Sequence, residues 1–262
     1  METSFDTFGP LMVEQLREQV SNLLAAVHLL TPVIREQRDE RYDQYLAIMN
    51  QSLYRLLRLT GNIEFAALPR GAEDLRSAPL DLAGLCRDLS SEVIPLAERA
   101  GVVFRYEESC SSLLTSGDAV LLRRMLLNLI SNALRAAGAG GEAGLRFTAY
   151  RERCTLTIWD SGSGFDSSVP DPEDLTRRPD GAGLGLEVAR RVASLHGGAL
   201  VFDQREGRGG RATVALPILV PDQRLSLYSP SVKYDATGGF SPVLVELSGV
   251  LPYGVYLPQD LE

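Results

Sequence analysis

The chain has 262 residues, enough for one or two domains that each bury a core. Its 45% hydrophobic and 23% charged content is ordinary for a globular protein. A formal charge of −8 argues against nucleic acid or an anionic membrane as main partner, since both need concentrated Lys and Arg.

Residues from about Leu11 to Arg38 are expected to form a helix, because Leu16, Val20, Leu23, Leu24, Val27 and Leu30 recur at steps of three and four. Pro32 is expected to kink or locally break it. A polar stretch, Glu36 to Arg41, makes the turn. A second stripe follows: Tyr42, Leu46, Met49, Leu53, Leu56, Leu57 and Ile63. Two such helices make a hairpin that leaves apolar surface exposed, and pairing two copies into a four-helix bundle covers it, so a homodimer is expected. The apolar run from Leu23 to Ile34 is interrupted by His28, Thr31 and Pro32 and is shorter than the ~20 residues that span a bilayer. No signal peptide is evident. Cys86, Cys110 and Cys154 are widely spaced and read as reduced thiols. These features together predict a cytoplasmic protein with no membrane insertion.

Pro69 to Pro79 reads as a linker, and an α/β region begins there. Asp81 to Arg99 is expected to be helical, Val102 to Glu107 a strand, and Asp118 to Ala137 a strongly apolar helix. Leu145 to Tyr150 and Cys154 to Trp159 alternate as an antiparallel pair. Gly183 to Leu195 reads as a helix, and Ala199 to Asp203 and Ala212 to Leu216 as closing strands. The expected class is α+β: an N-terminal two-helix hairpin, then a two-layer α/β sandwich with helices on one face of a mixed sheet. Pro221 to Glu262 is rich in Pro, Gly, Tyr and Ser, with one strand candidate, Pro242 to Leu247. This divides the chain into residues 1–68, 79–218 and 219–262.

Three clusters carry chemistry. Asn128 and Asn132 lie four apart on the apolar helix, so both amides project from one face. An unsatisfied buried amide costs about 1–3 kcal/mol, and a hydrated Mg²⁺ with triphosphate oxygens would satisfy them. Two helix-surface asparagines would look the same. The second cluster is Asp160-Ser-Gly162-Ser-Gly164-Phe165, directly after a strand. Its glycines let the backbone turn tightly against a flat ligand, and the carboxylate can accept from an adenine amino group. An ordinary turn has the same pattern. The third is Gly181-Ala-Gly183-Leu184-Gly185-Leu186, entering a helix whose N-terminus favours phosphate. It lacks the Gly-Lys-Ser/Thr ending of a P-loop.

Taken in this order, the clusters resemble the ATPase domain shared by histidine kinases, DNA gyrase, Hsp90 and MutL proteins. His196-Gly-Gly198 after the last helix, and a strand ending Leu216-Pro217, look like the histidine-kinase branch, over roughly Pro79 to Pro217. The resemblance implies that Asn132 holds Mg²⁺ and Asn128 orients the metal-bound water or the phosphates. It implies that Arg135 reaches a phosphate and Asp160 reads adenine, while Gly162, Gly164, Gly181, Gly183, Leu184, Gly185 and Leu186 shape an ATP pocket. The stretch between Phe165 and Gly181 lacks the family's Phe-x-x-Phe and offers Arg177 and Arg178 as phosphate contacts. Gly210 stands where the family commonly has Thr or Ser.

Family hairpins carry a phosphoacceptor histidine followed by Glu-Leu-Arg-Thr-Pro-Leu. Leu16, Arg17 and Val20 match that pattern and place Glu14 in the acceptor position. His28, with Thr31-Pro32 behind it, is the rival. Glu14 lies 31 residues before Tyr45 and His28 only 17; family hairpins have about 25–35, the span of two helices at ~1.5 Å per residue, so the Glu14 register is preferred. His196 is expected to satisfy helix C-terminal carbonyls. The reading is thus an ATP·Mg-binding, histidine-kinase-like signalling protein without the usual acceptor, whose partners are itself and a response regulator or another kinase. Two alternatives stay open: a histidine kinase autophosphorylating at His28, and a phosphotransferase-like or scaffolding dimer without nucleotide turnover.

Overall fold

The computed structural model describes residues 5–35, 40–67, 75–162, 184–204, 209–219, 240–257 and 261. Two helices open the chain, α1 (Phe5–Arg35) and α2 (Glu40–Ala67). Helix α1 starts before the expected Leu11 and continues through Pro32 to Arg35, so the proline does not break it. Within the hairpin Val20, Leu24 and Val27 are buried, as are Leu46, Leu53 and Leu57 of α2. The other half of each apolar stripe stays outside: Leu16, Leu23 and Leu30 on α1, and Tyr42, Met49 and Leu56 on α2, are exposed. Each of these two sets repeats every seven residues, which is the period of a helix–helix seam. Arg17 pairs with Glu64 across the hairpin at 3.3 Å.

The sandwich follows: β1 (Ala78–Asp81), α3 (Leu82–Arg99), β2 (Val103–Glu108), β3 (Leu114–Gly117), α4 (Ala119–Ala137), β4 (Glu142–Ala149), β5 (Arg153–Asp160), α5 (Leu184–Leu195), β6 (Ala199–Gln204) and β7 (Gly210–Pro217). Five strands form a mixed sheet in the order β2-β4-β5-β7-β6, parallel between β2 and β4 and antiparallel elsewhere. Strand alternation sets the layers. Leu145 and Phe147, Cys154, Leu156 and Ile158, and Val214 and Leu216 are buried beneath the helices, while Arg146, Thr157 and Thr213 line the other face. Helix α4 is the spine of this core, with Leu122, Met125, Leu126, Leu127, Leu129 and Ile130 all buried. Each such side chain contributes about 1.5–3 kcal/mol.

Local capping fixes where the helices start. Asp81 caps α3, its carboxylate accepting from Gly84 N–H at 3.1 Å and from Leu113 N–H at 2.9 Å. Asp118 caps α4 by accepting from the N–H groups of Val120 and Leu121. Sequence reading missed the small antiparallel pair β1–β3, two four-residue strands that frame these caps.

In the C-terminal segment the expected element type is overturned. Pro242–Leu247, read as a strand, is a short helix, α6, followed by a 3₁₀ turn at Tyr253–Tyr256. The alternating Val243 and Val245 suggested a strand, but Ser241-Pro242 is an N-cap followed by proline at the first helical position, and the Ser241 hydroxyl accepts from Leu244 N–H. Val245, Glu246 and Leu247 are buried in succession, a pattern that a strand with one exposed face does not give. Cys86, Cys110 and Cys154 are free thiols, as expected, and burial pushes the Cys154 thiol up to about 11. Among the described residues no helix is long and apolar enough to cross a membrane.

Candidate nucleotide site

Helix α4, the end of β5, the start of α5 and the start of β7 meet at one end of the sheet, and this junction brings together residues from all three sequence clusters. Asn128 is fully buried on α4. Its Nδ2 donates to the Arg124 carbonyl at 3.0 Å, which fixes the carboxamide, while its Oδ1 has no hydrogen-bond partner. A buried acceptor left without a donor is uncommon in folded proteins. Gly185, in the first turn of α5, lies against this oxygen: a Cβ there would stand 2.5 Å from Asn128 Oδ1. Glycine at 185 therefore permits close approach of the α5 N-terminus to α4. Asn132, one turn further along α4, is half-buried, and Leu184 and Leu186 flank Gly185 at half-buried positions.

Asp160 ends β5 and is 2% exposed. Its Oδ1 accepts from Gly162 N–H at 3.0 Å and its Oδ2 from Gly210 N–H at 3.2 Å. These two backbone donors hold the carboxylate in one orientation. The glycines around it are sterically required. A Cβ on Gly162 would stand 1.7 Å from the Ala136 carbonyl oxygen at the end of α4, and one on Gly209 would stand 1.9 Å from the Asp160 carbonyl oxygen, with Gly209 at φ +78°. Gly210, which on sequence grounds signified only an absent hydroxyl, supplies a backbone donor to Asp160. Sequence reasoning did not find that role, because a main-chain hydrogen bond leaves no mark on residue type.

Arg135 lies half-buried in the last turn of α4. Gly164, Gly181 and Gly183, with Arg177 and Arg178, lie outside the described residues. His196 does what its place at a helix end predicts, and more. Its Nδ1 pairs with the Val192 carbonyl at 2.8 Å, and its Nε2 accepts from Asp118 N–H at 3.0 Å. Since a backbone N–H can only donate, the proton sits on Nδ1 and the ring is neutral. It joins the end of α5 to the cap of α4, so both ring nitrogens are occupied structurally. His28 is exposed on α1, and Glu14 lies within α1.

Among the described residues no group of three His, Cys, Asp or Glu side chains can hold a metal. A cation at this site would rest on amide oxygens and on oxygens brought by its ligand. The free Asn128 Oδ1 and the nearby Asn132 are groups of that kind, and such hard oxygen donors suit Mg²⁺, which keeps much of its water.

Residues 117–220 match the family described as histidine kinase-, DNA gyrase B-, and HSP90-like ATPase. The alginate biosynthesis sensor protein KinB of Pseudomonas aeruginosa is 27% identical over 210 residues, covering 78% of this chain and 35% of its own length. The histidine protein kinase DivJ of Caulobacter vibrioides is 28% identical over 230 residues, covering 80% and 36%. The chain thus spans about a third of the length of the curated relatives it matches, at 35% and 36%. Among solved structures, full-length ShkA in complex with AMPPNP is 26% identical with a TM-score of 0.57, over 80% of this chain and 47% of that one. Histidine kinase ThkA in complex with the response regulator protein TrrA has a TM-score of 0.53 at 21% identity, over 83% of this chain and 64% of that one, and shares the fold. Both overlaps are longer than the sandwich alone, so the order of hairpin then sandwich is common to them. The likeness to the histidine kinase-, DNA gyrase B-, and HSP90-like ATPase family is thus carried by residues 117–220, which hold α4, β4, β5, α5, β6 and β7.

Proposed function

We infer that the chain is an ATP·Mg-binding, histidine-kinase-like protein of two-component signalling whose usual acceptor histidine is replaced by Glu14. In this reading residues 1–68 dimerise, 79–218 bind nucleotide and 219–262 form an added C-terminal extension. The observation that carries it is the buried, unpartnered Asn128 Oδ1 facing Gly185, in the same pocket end as an Asp160 locked by two backbone donors. Asn132 would bind Mg²⁺, Asn128 the metal-bound water or phosphates, Arg135 a phosphate and Asp160 the adenine amino group. Gly162, Gly164, Gly181, Gly183, Leu184, Gly185 and Leu186 would shape the pocket. When bound, the metal would neutralise phosphate charge.

A carboxylate at position 14 forms no phosphoramidate, so nucleotide would drive a change of shape, or its phosphoryl group would go to a partner such as a response regulator or another kinase. A second copy of the chain is the natural cover for Leu16, Leu23, Leu30, Tyr42, Met49 and Leu56. Their seven-residue period along both helices supports the seam of a four-helix bundle. The exposure of His28 favours one second reading, in which that residue accepts the phosphoryl group.

Incubation with γ-labelled ATP separates the two, with wild type, Asn132→Ala and His28→Ala side by side. The first reading predicts no acid-labile label on the chain itself. Acid-labile label on the wild type, absent from His28→Ala, would overturn it in favour of the second.

A further inference from the structure

The segment Phe240–Leu257 packs between the hairpin and the sandwich. Helix α6 touches both α2 and α4, the 3₁₀ turn touches α2, and Arg99 of α3 donates to the Gly254 carbonyl at 2.8 Å. One face of α2 is committed to this contact. Asn50, Gln51, Tyr54, Arg55 and Arg58 follow helical spacing, and all five reach the same segment. Asn50 Nδ2 donates to the Tyr256 carbonyl at 3.1 Å, and Gln51 Nε2 donates to the carbonyls of Ser248 at 3.2 Å and Leu251 at 2.6 Å. Arg55 Nε donates to the Ser248 carbonyl at 3.1 Å. The Tyr54 ring meets Tyr256 and Phe240 edge-on at 5.2 and 5.7 Å.

Glu246 lies at the centre. Its Oε2 accepts from Arg58 Nε of the hairpin at 3.2 Å, and its Oε1 is 3.6 Å from Arg124 Nε of the sandwich. Arg58 and Glu246 are both under a tenth exposed, so this carboxylate joins the two units in a setting with little solvent screening. Burial draws the Arg124 pKa below its ordinary value, and Glu246 and Glu64 act against that shift.

The contact has two parts. One is polar, through side-chain amides, guanidinium groups and main-chain carbonyls that water can serve when the segment leaves; the other buries Val243, Val245, Leu247, Leu251, Val255 and Tyr256. The helix at its centre is six residues long, too short to persist without its neighbours. The segment's structure therefore depends on its contacts with α2 and α4.

We propose that Phe240–Leu257 is an intramolecular clamp that holds the sandwich at a fixed angle to hairpin helix α2 and releases it when the Arg58–Glu246–Arg124 centre is broken. This does not depend on the nucleotide reading, because every group in it lies on α2, α3, α4 or the C-terminal segment and none is assigned to nucleotide.

The test is hydrogen exchange by mass spectrometry on the full chain, with small-angle scattering in parallel, for wild type, Glu246→Gln and Gln51→Ala. The clamp predicts that amides of 242–256 exchange at least tenfold faster in Glu246→Gln, with a larger radius of gyration. Strands β4, β5 and β7 should keep wild-type rates. Gln51→Ala, which removes the two hydrogen bonds to Ser248 and Leu251 without touching the ion centre, should change the same peptides in the same direction. Rates in 242–256 within twofold of wild type in both variants would overturn the proposal. So would acceleration of β4, β5 and β7 in step with 242–256, which would make the segment part of the sandwich core.

Discussion

Replacing Asp160 with asparagine keeps the size of the side chain and removes one acceptor. In the native structure both carboxylate oxygens are used, Oδ1 by Gly162 N–H at 3.0 Å and Oδ2 by Gly210 N–H at 3.2 Å. However the substituted carboxamide turns, its NH₂ faces one of these two N–H donors. One hydrogen bond to a charged acceptor is lost at a site 2% exposed, which costs about 1.5–3 kcal/mol. In urea, at a slope of roughly 2–3 kcal/mol per M, the unfolding midpoint should fall by about 0.5–1.5 M. If Asp160 also accepts the adenine amino group, affinity for a non-hydrolysable ATP analogue should fall about tenfold to a hundredfold, with about 1.4 kcal/mol for each factor of ten. The assays are urea unfolding followed by circular dichroism, and calorimetric titration below the unfolding range. A midpoint and an affinity both equal to wild type would refute the reasoning. A lower midpoint with unchanged affinity would leave Asp160 a structural residue and remove it from the adenine contact.

Gly162→Ala should destabilise the chain by about 3 kcal/mol, because its Cβ would meet the Ala136 carbonyl at 1.7 Å and backbone must move on one side; urea unfolding reads this directly. Asp81 gives a pH dependence. Burial, the largest single influence, raises its pKa, but the N–H groups of Leu113, Gly84 and Ala83 and the Ser112 hydroxyl together hold it below the ordinary value. A folded pKa below the unfolded one means the stabilisation is full above about pH 4 and is lost as pH falls through the folded value. Wild type should therefore lose stability more steeply than Asp81→Asn between about pH 4 and pH 2, measured as unfolding midpoints, and parallel curves would contradict the assignment. Leu23→Glu, at a side chain 55% exposed in the single chain, should give a monomer of unchanged helix content by light scattering and circular dichroism. A persisting dimer would take this face out of the interface.

The sandwich was legible in sequence because its signals are local and strong. Helix α4 is apolar along most of its length, and the alternation in 145–149 and 154–159 maps directly onto paired strands. The observed boundaries of α3 and α4 fall at Asp81 and Asp118, carboxylates that mark their own caps. The strands β1 and β3 were missed because four residues each, one of them Pro79, do not show a period. Helix α6 was misread because β-branched alternation outweighed the Ser241-Pro242 cap that decides it. The hairpin stripes were readable as apolar but not as two faces: which leucines turn inward depends on how α1 and α2 lie against each other. The least legible feature was the contact of α2 with the C-terminal segment. Asn50, Gln51 and Arg58 look like solvent-facing residues of an amphipathic helix, and their partners lie 188 to 206 residues away in the chain.

At the candidate site the order of the motifs was visible, while the means of holding them was not. Nothing in the residue types shows that Gly210 donates to Asp160, or that Gly185 must be small because Asn128 Oδ1 occupies the space of its Cβ. Such contacts arise only when four separate elements converge at one end of the sheet.

The central claim, a nucleotide pocket built on Asn128, Asn132 and Asp160, is tested most directly by calorimetric titration of the full chain with AMPPNP, with Mg²⁺ and with EDTA, alongside Asn132→Ala. The account predicts one saturable site per chain, weakened at least tenfold by EDTA and by Asn132→Ala. Absence of saturable binding to the folded wild-type chain in the presence of Mg²⁺ would contradict it.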